Sequence, residues 1–126
     1  MFYEKKIWNI LVIDDDTITL ELIKKQLDGD YQNLTLTSNP LEAIELINIS
    51  KFDLIIIDIT NFQIRGIDLL KYIKSVNPWK PVILLAAQDN EEILKLAEKN
   101  GCNNYLKKPF KKEQMKEAIE NVNIIY

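Results

Sequence analysis

The chain has 126 residues, 47% of them hydrophobic and 28% charged, with a formal charge of −3. That suits one domain with a core of its own, expected over residues 1–126, and the mild acidity gives no footing for nucleic-acid binding. Histidine is absent and Cys102 is the single cysteine, which excludes histidine metal ligands, histidine-based triads, phosphohistidine chemistry within the chain and an internal disulfide. No apolar run approaches the roughly 20 residues that span a bilayer, so no membrane segment is expected. Met1 to Lys6 carries neither the apolar core nor the cleavage site of a signal peptide, and the cytoplasm is the expected compartment.

Ile7 to Ile13 reads as a first strand that runs straight into Asp14-Asp15-Asp16. From Thr17 to Leu27, apolar residues at 20, 23 and 27 follow helical spacing, and Asp28-Gly29-Asp30 stops the helix. Leu34 to Thr37 alternates apolar and polar, as a strand near a sheet edge does. Pro40 suits the first position of a second helix, with Asn39 as cap and Leu41, Ile44 and Ile47 as its apolar stripe.

Phe52 to Asp58 is the central stretch. Leu54 and three isoleucines run into a carboxylate, which is the composition of a strand covered on both faces. Thr60 to Arg65 reads as a loop, with Gly66 free to take a positive φ. Ile67, Leu70 and Ile73 mark a third helix that ends near Asn77-Pro78. Pro81 to Ala86 is a second continuous apolar strand. Asp89 to Glu92 supplies caps and acids for a fourth helix, with Ile93, Leu96 and Ala97 inward, and Asn100-Gly101 stops it. Asn104-Tyr105-Leu106 is a short last strand. Lys108-Pro109-Phe110 then leads into a final helix with Met115, Ala118, Ile119 and Val122 on one face.

Five strands alternating with five helices predict a doubly wound parallel α/β sheet. The continuous runs belong in its interior and the weaker second and fifth strands at its edges. Right-handed crossovers then allow the order 2-1-3-4-5, with the switch point between strands one and three. Ligands bind outside the carboxyl ends of such strands. Asp14, Asp15, Asp16 and Asp58 stand there.

Taken singly, these residues have ordinary explanations. Asp58 caps a turn, Asp16 caps a helix, Lys108 is a surface lysine beside Lys107, and Cys102 is structural or incidental. Taken together, clustered carboxylates repel unless a cation or a proton offsets them. A hard divalent ion such as Mg²⁺ fits oxygen donors. Lys108 after the fifth strand adds a mobile positive charge. Acids, a strand-end Asp and a strand-end Lys suggest phosphoryl chemistry, with Asp58 as nucleophile forming an acyl phosphate.

Three stretches resemble the receiver domain of two-component response regulators. They are Leu11-Val12-Ile13-Asp14-Asp15, Leu54 to Asp58 with Gly66 eight residues on, and Lys107-Lys108-Pro109-Phe110. The resemblance covers nearly the whole chain. It implies a flavodoxin-like fold, often with a cis peptide before the proline. It implies Asp58 as phosphoacceptor and Lys108 as the contact to the phosphoryl group. Mg²⁺ would be held by Asp15 and Asp58 directly, Asp14 through water and the Thr60 backbone carbonyl. Tyr105 stands where the family often has a switch aromatic, and a core role in an edge strand is the other reading. The phosphoryl donor would be a phosphohistidine on a sensor histidine kinase or a histidine phosphotransfer protein. Such a domain catalyses only its own phosphorylation and dephosphorylation, and homodimers through the strand 4, strand 5 and final-helix face are a family expectation.

Two departures stand out. Ala86, followed by Ala87, occupies the place where the family usually has Ser or Thr. A methyl cannot bond a phosphoryl oxygen, and such a charged hydrogen bond is worth roughly 1.5–3 kcal/mol. Taking a switch from 1:99 to 99:1 needs about 5.5 kcal/mol, so phosphorylation should survive while the conformational response is blunted. Asn61-Phe62 also replaces the common Met-Pro, and Arg65 precedes Gly66. Two alternatives follow. One is a degenerate receiver that acts by contact without phosphorylation. The other is a haloacid-dehalogenase-like phosphatase with Asp14 as nucleophile, suggested by Asp14-Asp15-Asp16-Thr17 after a strand.

Overall fold

The structure, a computed structural model, describes residues 8–29, 33–59, 66–87, 91–102 and 104–122. Five strands alternate with five helices. They are β1 (Asn9–Ile13), α1 (Thr17–Gln26), β2 (Asn33–Thr37), α2 (Pro40–Ile49) and β3 (Leu54–Asp58). Then come α3 (Gly66–Val76), β4 (Val82–Ala86), α4 (Glu91–Lys99), β5 (Asn104–Lys107) and α5 (Lys112–Glu120). The strands pair in parallel in the order β2-β1-β3-β4-β5, as the pattern predicts. The sheet has the flavodoxin-like, doubly wound architecture.

The period of two divides the sheet between two cores. Leu11, Ile13, Ile55, Ile57, Val82 and Leu84 pack with Ala43 of α2, Ile67 and Leu70 of α3 and Ala97 of α4. Ile10, Val12, Leu54, Ile56, Ile83 and Leu85 pack with Leu20 and Ile23 of α1 and Met115 and Ile119 of α5. Residues of β3 and β4 are buried throughout because helices cover both faces. Each isoleucine buried there contributes roughly 1.5–3 kcal/mol. Edge strands β2 and β5 are only partly covered.

The helix ends use local chemistry. Asp16 caps α1 by accepting from the Ile18 N–H, and Asn39 caps α2 with Pro40 in the first turn. Gly29 and Gly101 take positive φ values of 79° and 88° after α1 and α4. Cys102 is buried, with Sγ 3.2 Å from the Val82 carbonyl oxygen, and burial pushes its thiol pKa up. The Lys108–Pro109 peptide is cis.

Several expectations need correction. Gly66 does not take a positive φ. It is tight for another reason: a Cβ there would collide with the backbone of Ile59 and the Asp58 carbonyl oxygen. Leu41 and Leu96 are exposed. Leu41 lies in the first turn of α2, and Ala43 takes the buried place with Ile44, Leu46 and Ile47 against it. On α4 the inward residues are Ile93, Leu94 and Ala97. In both helices the sheet is met by a face rotated from the predicted one. Strands β1, β3 and β4 begin one or two residues later than expected, β2 begins one residue earlier and β5 begins at Asn104 as expected; Ile7, Thr60 to Arg65 and Asp89-Asn90 lie outside the described residues.

Candidate functional site

Register brings the acids together before any side chain is considered. Ile13 pairs with Ile57 in adjacent parallel strands, so Asp14 and Asp58 follow side by side at the carboxyl ends. Neighbouring strands lie about 4.8 Å apart. Asp14 continues the row Ile10-Val12 and Asp58 the row Leu54-Ile56, both on the α1 and α5 side. Lys108 continues from Leu106, whose side chain packs against that same core.

The geometry is close. Lys108 Nζ donates to Asp14 Oδ2 at 2.8 Å and to Asp58 Oδ2 at 3.2 Å. Asp14 and Asp58 are fully buried, whereas the Lys108 side chain keeps 22% exposure. The Asp14 backbone N–H donates to the Thr37 carbonyl, and its Oδ1 accepts the Asp16 N–H at 2.9 Å. The Lys108 backbone N–H donates to the Ala86 carbonyl at 2.8 Å, so the end of β4 seats the lysine main chain. Ala86 itself is fully buried and packs into the core on the α2–α4 side.

The electrostatics follow from burial. Removal from water raises the Asp14 pKa to about 6; the hydrogen bonds from Lys108 and the Asp16 N–H oppose this, and the Asp58 charge adds to it. Burial alone would lower the Lys108 pKa, but the hydrogen bond to Asp14 and the charges of Asp14 and Asp58 outweigh it and raise it. Asp16 moves the other way. The Thr19 hydroxyl and the Ile18 N–H hold its carboxyl below the ordinary range. Its oxygens are engaged with α1, at 3.0 Å from both partners.

The donor set suits a hard cation. Asp14, Asp15 and Asp58 each offer a carboxylate oxygen, all within 4.8 Å of one another, with Asp15 exposed and the other two buried. Among the described residues, the Lys108 ammonium stands within ion-pair distance of two of these three carboxylates. Thr60, the fourth ligand that the resemblance implies, lies outside the described residues.

The family model for the response regulator receiver domain matches residues 10–120. The chain belongs to the response regulator receiver family. Among curated relatives, the transcriptional regulatory protein ZraR of Klebsiella oxytoca is 35% identical over 102 residues, 81% of this chain and 23% of the relative. The probable C4-dicarboxylate response regulator DctR of Priestia megaterium is 33% identical over 119 residues, 92% of this chain and 52% of the relative. The receiver chain thus spans about a quarter to a half of these relatives. A response regulator receiver domain protein from Clostridium thermocellum superposes with a TM-score of 0.83 at 32% identity, covering 91% of this chain and 93% of that one. Receiver domains bind Mg²⁺ at an acidic cluster of this kind and work with histidine kinases in two-component signalling. Among the described residues of this receiver, no helix is long and apolar enough to cross a membrane.

Two features of the receiver's surface escaped the sequence reading. A cavity of about 440 Å³ opens beside Lys108, lined by Asp16, Thr19, Leu22, Ala87 and Phe110 among others. Ile18 and Leu22 are both exposed on α1, Leu22 lining the cavity, and their spacing of four, off the stripe at 20, 23 and 27, was the available signal. The second is a groove of about 400 Å³ between α4 and β5, where Tyr105 stands with Leu94 and Lys107. Tyr105 is 50% exposed, so it is not the core residue of the other reading.

Proposed function

We propose that residues 1–126 form a single cytoplasmic receiver domain that accepts a phosphoryl group on Asp58 and relays the signal by conformational change. The observation that carries this reading is the bridge from the Lys108 ammonium to both Asp14 and Asp58. It puts a positive charge beside the nucleophile, where charge accumulates on the incoming phosphoryl oxygens.

An Asp58 carboxylate oxygen attacks the phosphorus of a phosphohistidine on a sensor histidine kinase or a histidine phosphotransfer protein. The P–O bond forms as the P–N bond breaks, and the departing imidazole nitrogen keeps the bonding pair and takes up a proton. Lys108 turns from Asp58 toward the transferred phosphoryl oxygens while Asp14 keeps its other hydrogen bond. Asp14, Asp15, Asp58 and the Thr60 carbonyl would hold Mg²⁺, which when bound neutralises the carboxylates and the phosphoryl oxygens. Water later attacks the acyl phosphate, so the domain catalyses only its own loading and unloading. Tyr105 is the switch aromatic, supported by its half-exposed place in the α4–β5 groove. The same β4, β5 and α5 face is the surface for a homodimer. Nucleic acid and membrane are not partners of this domain.

Ala86 favours a second reading, signalling by contact alone. Its methyl gives the phosphoryl group no hydrogen bond, so the switch is blunted even where transfer succeeds. The phosphatase alternative is disfavoured by Asp16, whose oxygens are taken up in capping α1. The test is acetyl phosphate with Mg²⁺, read by intact-protein mass spectrometry. One phosphoryl group is expected on the natural chain and none on Asp58→Asn. Label on Asp14 would favour the phosphatase, and no label on either protein would favour contact alone. NMR with a phosphate mimic then reads the response, and full movement of the β4, β5 and α5 face would refute the inference from Ala86.

A further inference from the structure

The opposite end of the sheet carries a second surface. A cavity of about 160 Å³ opens between α2 and α3, floored by Phe52, Ile55 and Ile73 and edged by Val76. That is room for one large apolar side chain. Around it Ile49, Val76 and Trp79 are 78%, 57% and 75% exposed, three of the eight large apolar side chains exposed among the described residues. Ile49 precedes Ser50 and Trp79 precedes Lys80, and both Ser50 and Lys80 line the cavity.

The rim is positive. Lys51 and Lys80 both line the cavity, and the Lys51 charge works against that of Lys80. Lys80 Nζ donates to the Phe52 carbonyl oxygen, and among the described residues no carboxylate stands within ion-pair distance of it. Asp53 attracts it from farther off, but an Asp53 oxygen is already held by the Asn9 N–H at 2.8 Å. Burial lowers the Lys80 pKa, the Asp53 charge opposes this and the Lys51 charge adds to it.

The patch is also held in place. Lys74 Nζ donates to the Lys80 carbonyl at 2.7 Å, and Asn77 Oδ1 accepts the Trp79 N–H at 3.0 Å, pinning the turn that presents Trp79. An exposed aromatic on a fixed turn beside a pocket suits an interface hot spot, because the turn loses little backbone freedom on binding.

We propose that this end of the domain docks a segment of a partner protein, one aromatic or branched aliphatic side chain filling the cavity and flanking carboxylates meeting Lys51 and Lys80. The exposed apolar skirt reaches beyond the cavity itself, which suits a protein segment better than a small anion. The surface lies away from Asp58, and the proposal stands whether or not the domain takes up phosphate.

The test uses the unphosphorylated chain and two synthetic peptides, Ac-Glu-Leu-Phe-Glu-amide and Ac-Lys-Leu-Phe-Lys-amide, titrated by NMR. The acidic peptide should shift the amides of Lys51, Val76 and Lys80 and the Trp79 indole, and bind at least about tenfold tighter than the basic one. Trp79→Ala and Lys51→Glu, both at exposed positions, should each weaken it by about tenfold and leave phosphoryl uptake unchanged. Equal binding of the two peptides, or shifts elsewhere, would overturn the proposal. So would shifts at this patch that grow with protein concentration alone, since a second copy would then be the occupant.

Discussion

The two ends of the sheet handle a half-buried lysine in opposite ways. At the carboxyl end Lys108 sits between two fully buried carboxylates, and its charge is more than balanced. At the amino end Lys80 rests on a backbone carbonyl with no carboxylate in ion-pair reach among the described residues. The first arrangement gathers buried carboxylates around one ammonium. The second stores excess positive charge beside apolar surface. Parallel topology makes such a polarity natural, because all five strands end their chemistry-bearing loops on the same side.

The same substitution at each end breaks or sharpens that contrast. Lys108→Met should have the largest effect. Phosphoryl uptake should fall by about 10²–10³-fold, as for loss of one preorganised charge donor. Stability at pH 7 should drop by about 2–3 kcal/mol, less than the usual cost of breaking a buried pair, because Asp14 can take a proton and Lys108 is partly exposed. Uptake kinetics and urea titration measure the two. Lys80→Met should change stability by no more than about 1 kcal/mol, since it leaves one carbonyl without a partner and also removes a poorly solvated charge. Equal losses at the two ends would erase the distinction.

Gly66→Ala comes next. The added methyl meets the backbone of Ile59 and the carbonyl oxygen of Asp58, so the start of α3 must shift from the end of β3. A loss of about 1–3 kcal/mol in chemical denaturation is expected, together with slower phosphoryl uptake. An unchanged midpoint would mean that the α3 start is looser than its packing indicates.

The smallest effect is a pH dependence. The folded-state pKa of Asp14 is raised to about 6 from an ordinary value of 3.8, so the folded state binds its proton more tightly than the unfolded chain does. The Asp14 contribution is therefore fully present below pH 3.8 and is lost as pH rises through about 6. Metal-free protein should show this fall in denaturation midpoints across that window, and Asp14→Asn should flatten it. Mg²⁺ should offset the fall by favouring the ionised carboxylate. The cost of Lys108→Met should shrink as pH falls through the same window, while that of Lys80→Met should stay level.

Much of this was legible in the chain. Strand and helix identities, the caps at Asp16 and Asn39 and the stops at Gly29 and Gly101 depend on residues a few positions apart, so local pattern reveals them. Continuous apolar runs separated interior strands from edge strands, because only two-sided burial tolerates Leu54-Ile55-Ile56-Ile57. Leu41 and Leu96 misled because periodicity marks an apolar stripe but not the few tens of degrees by which a helix turns against its sheet. The expectation of a positive φ at Gly66 missed the neighbouring Ile59 backbone that excludes a Cβ there.

By itself, then, the order of residues determined the alternating elements, the parallel sheet and the acids at the strand ends, since these follow from short-range periodicity and chain connectivity. Only the folded arrangement decided that Lys108, 94 residues from Asp14, would reach it at 2.8 Å, and that Lys80 would be left with a carbonyl. Charge balance is a property of distances and of excluded water, and both arise only when separate segments pack.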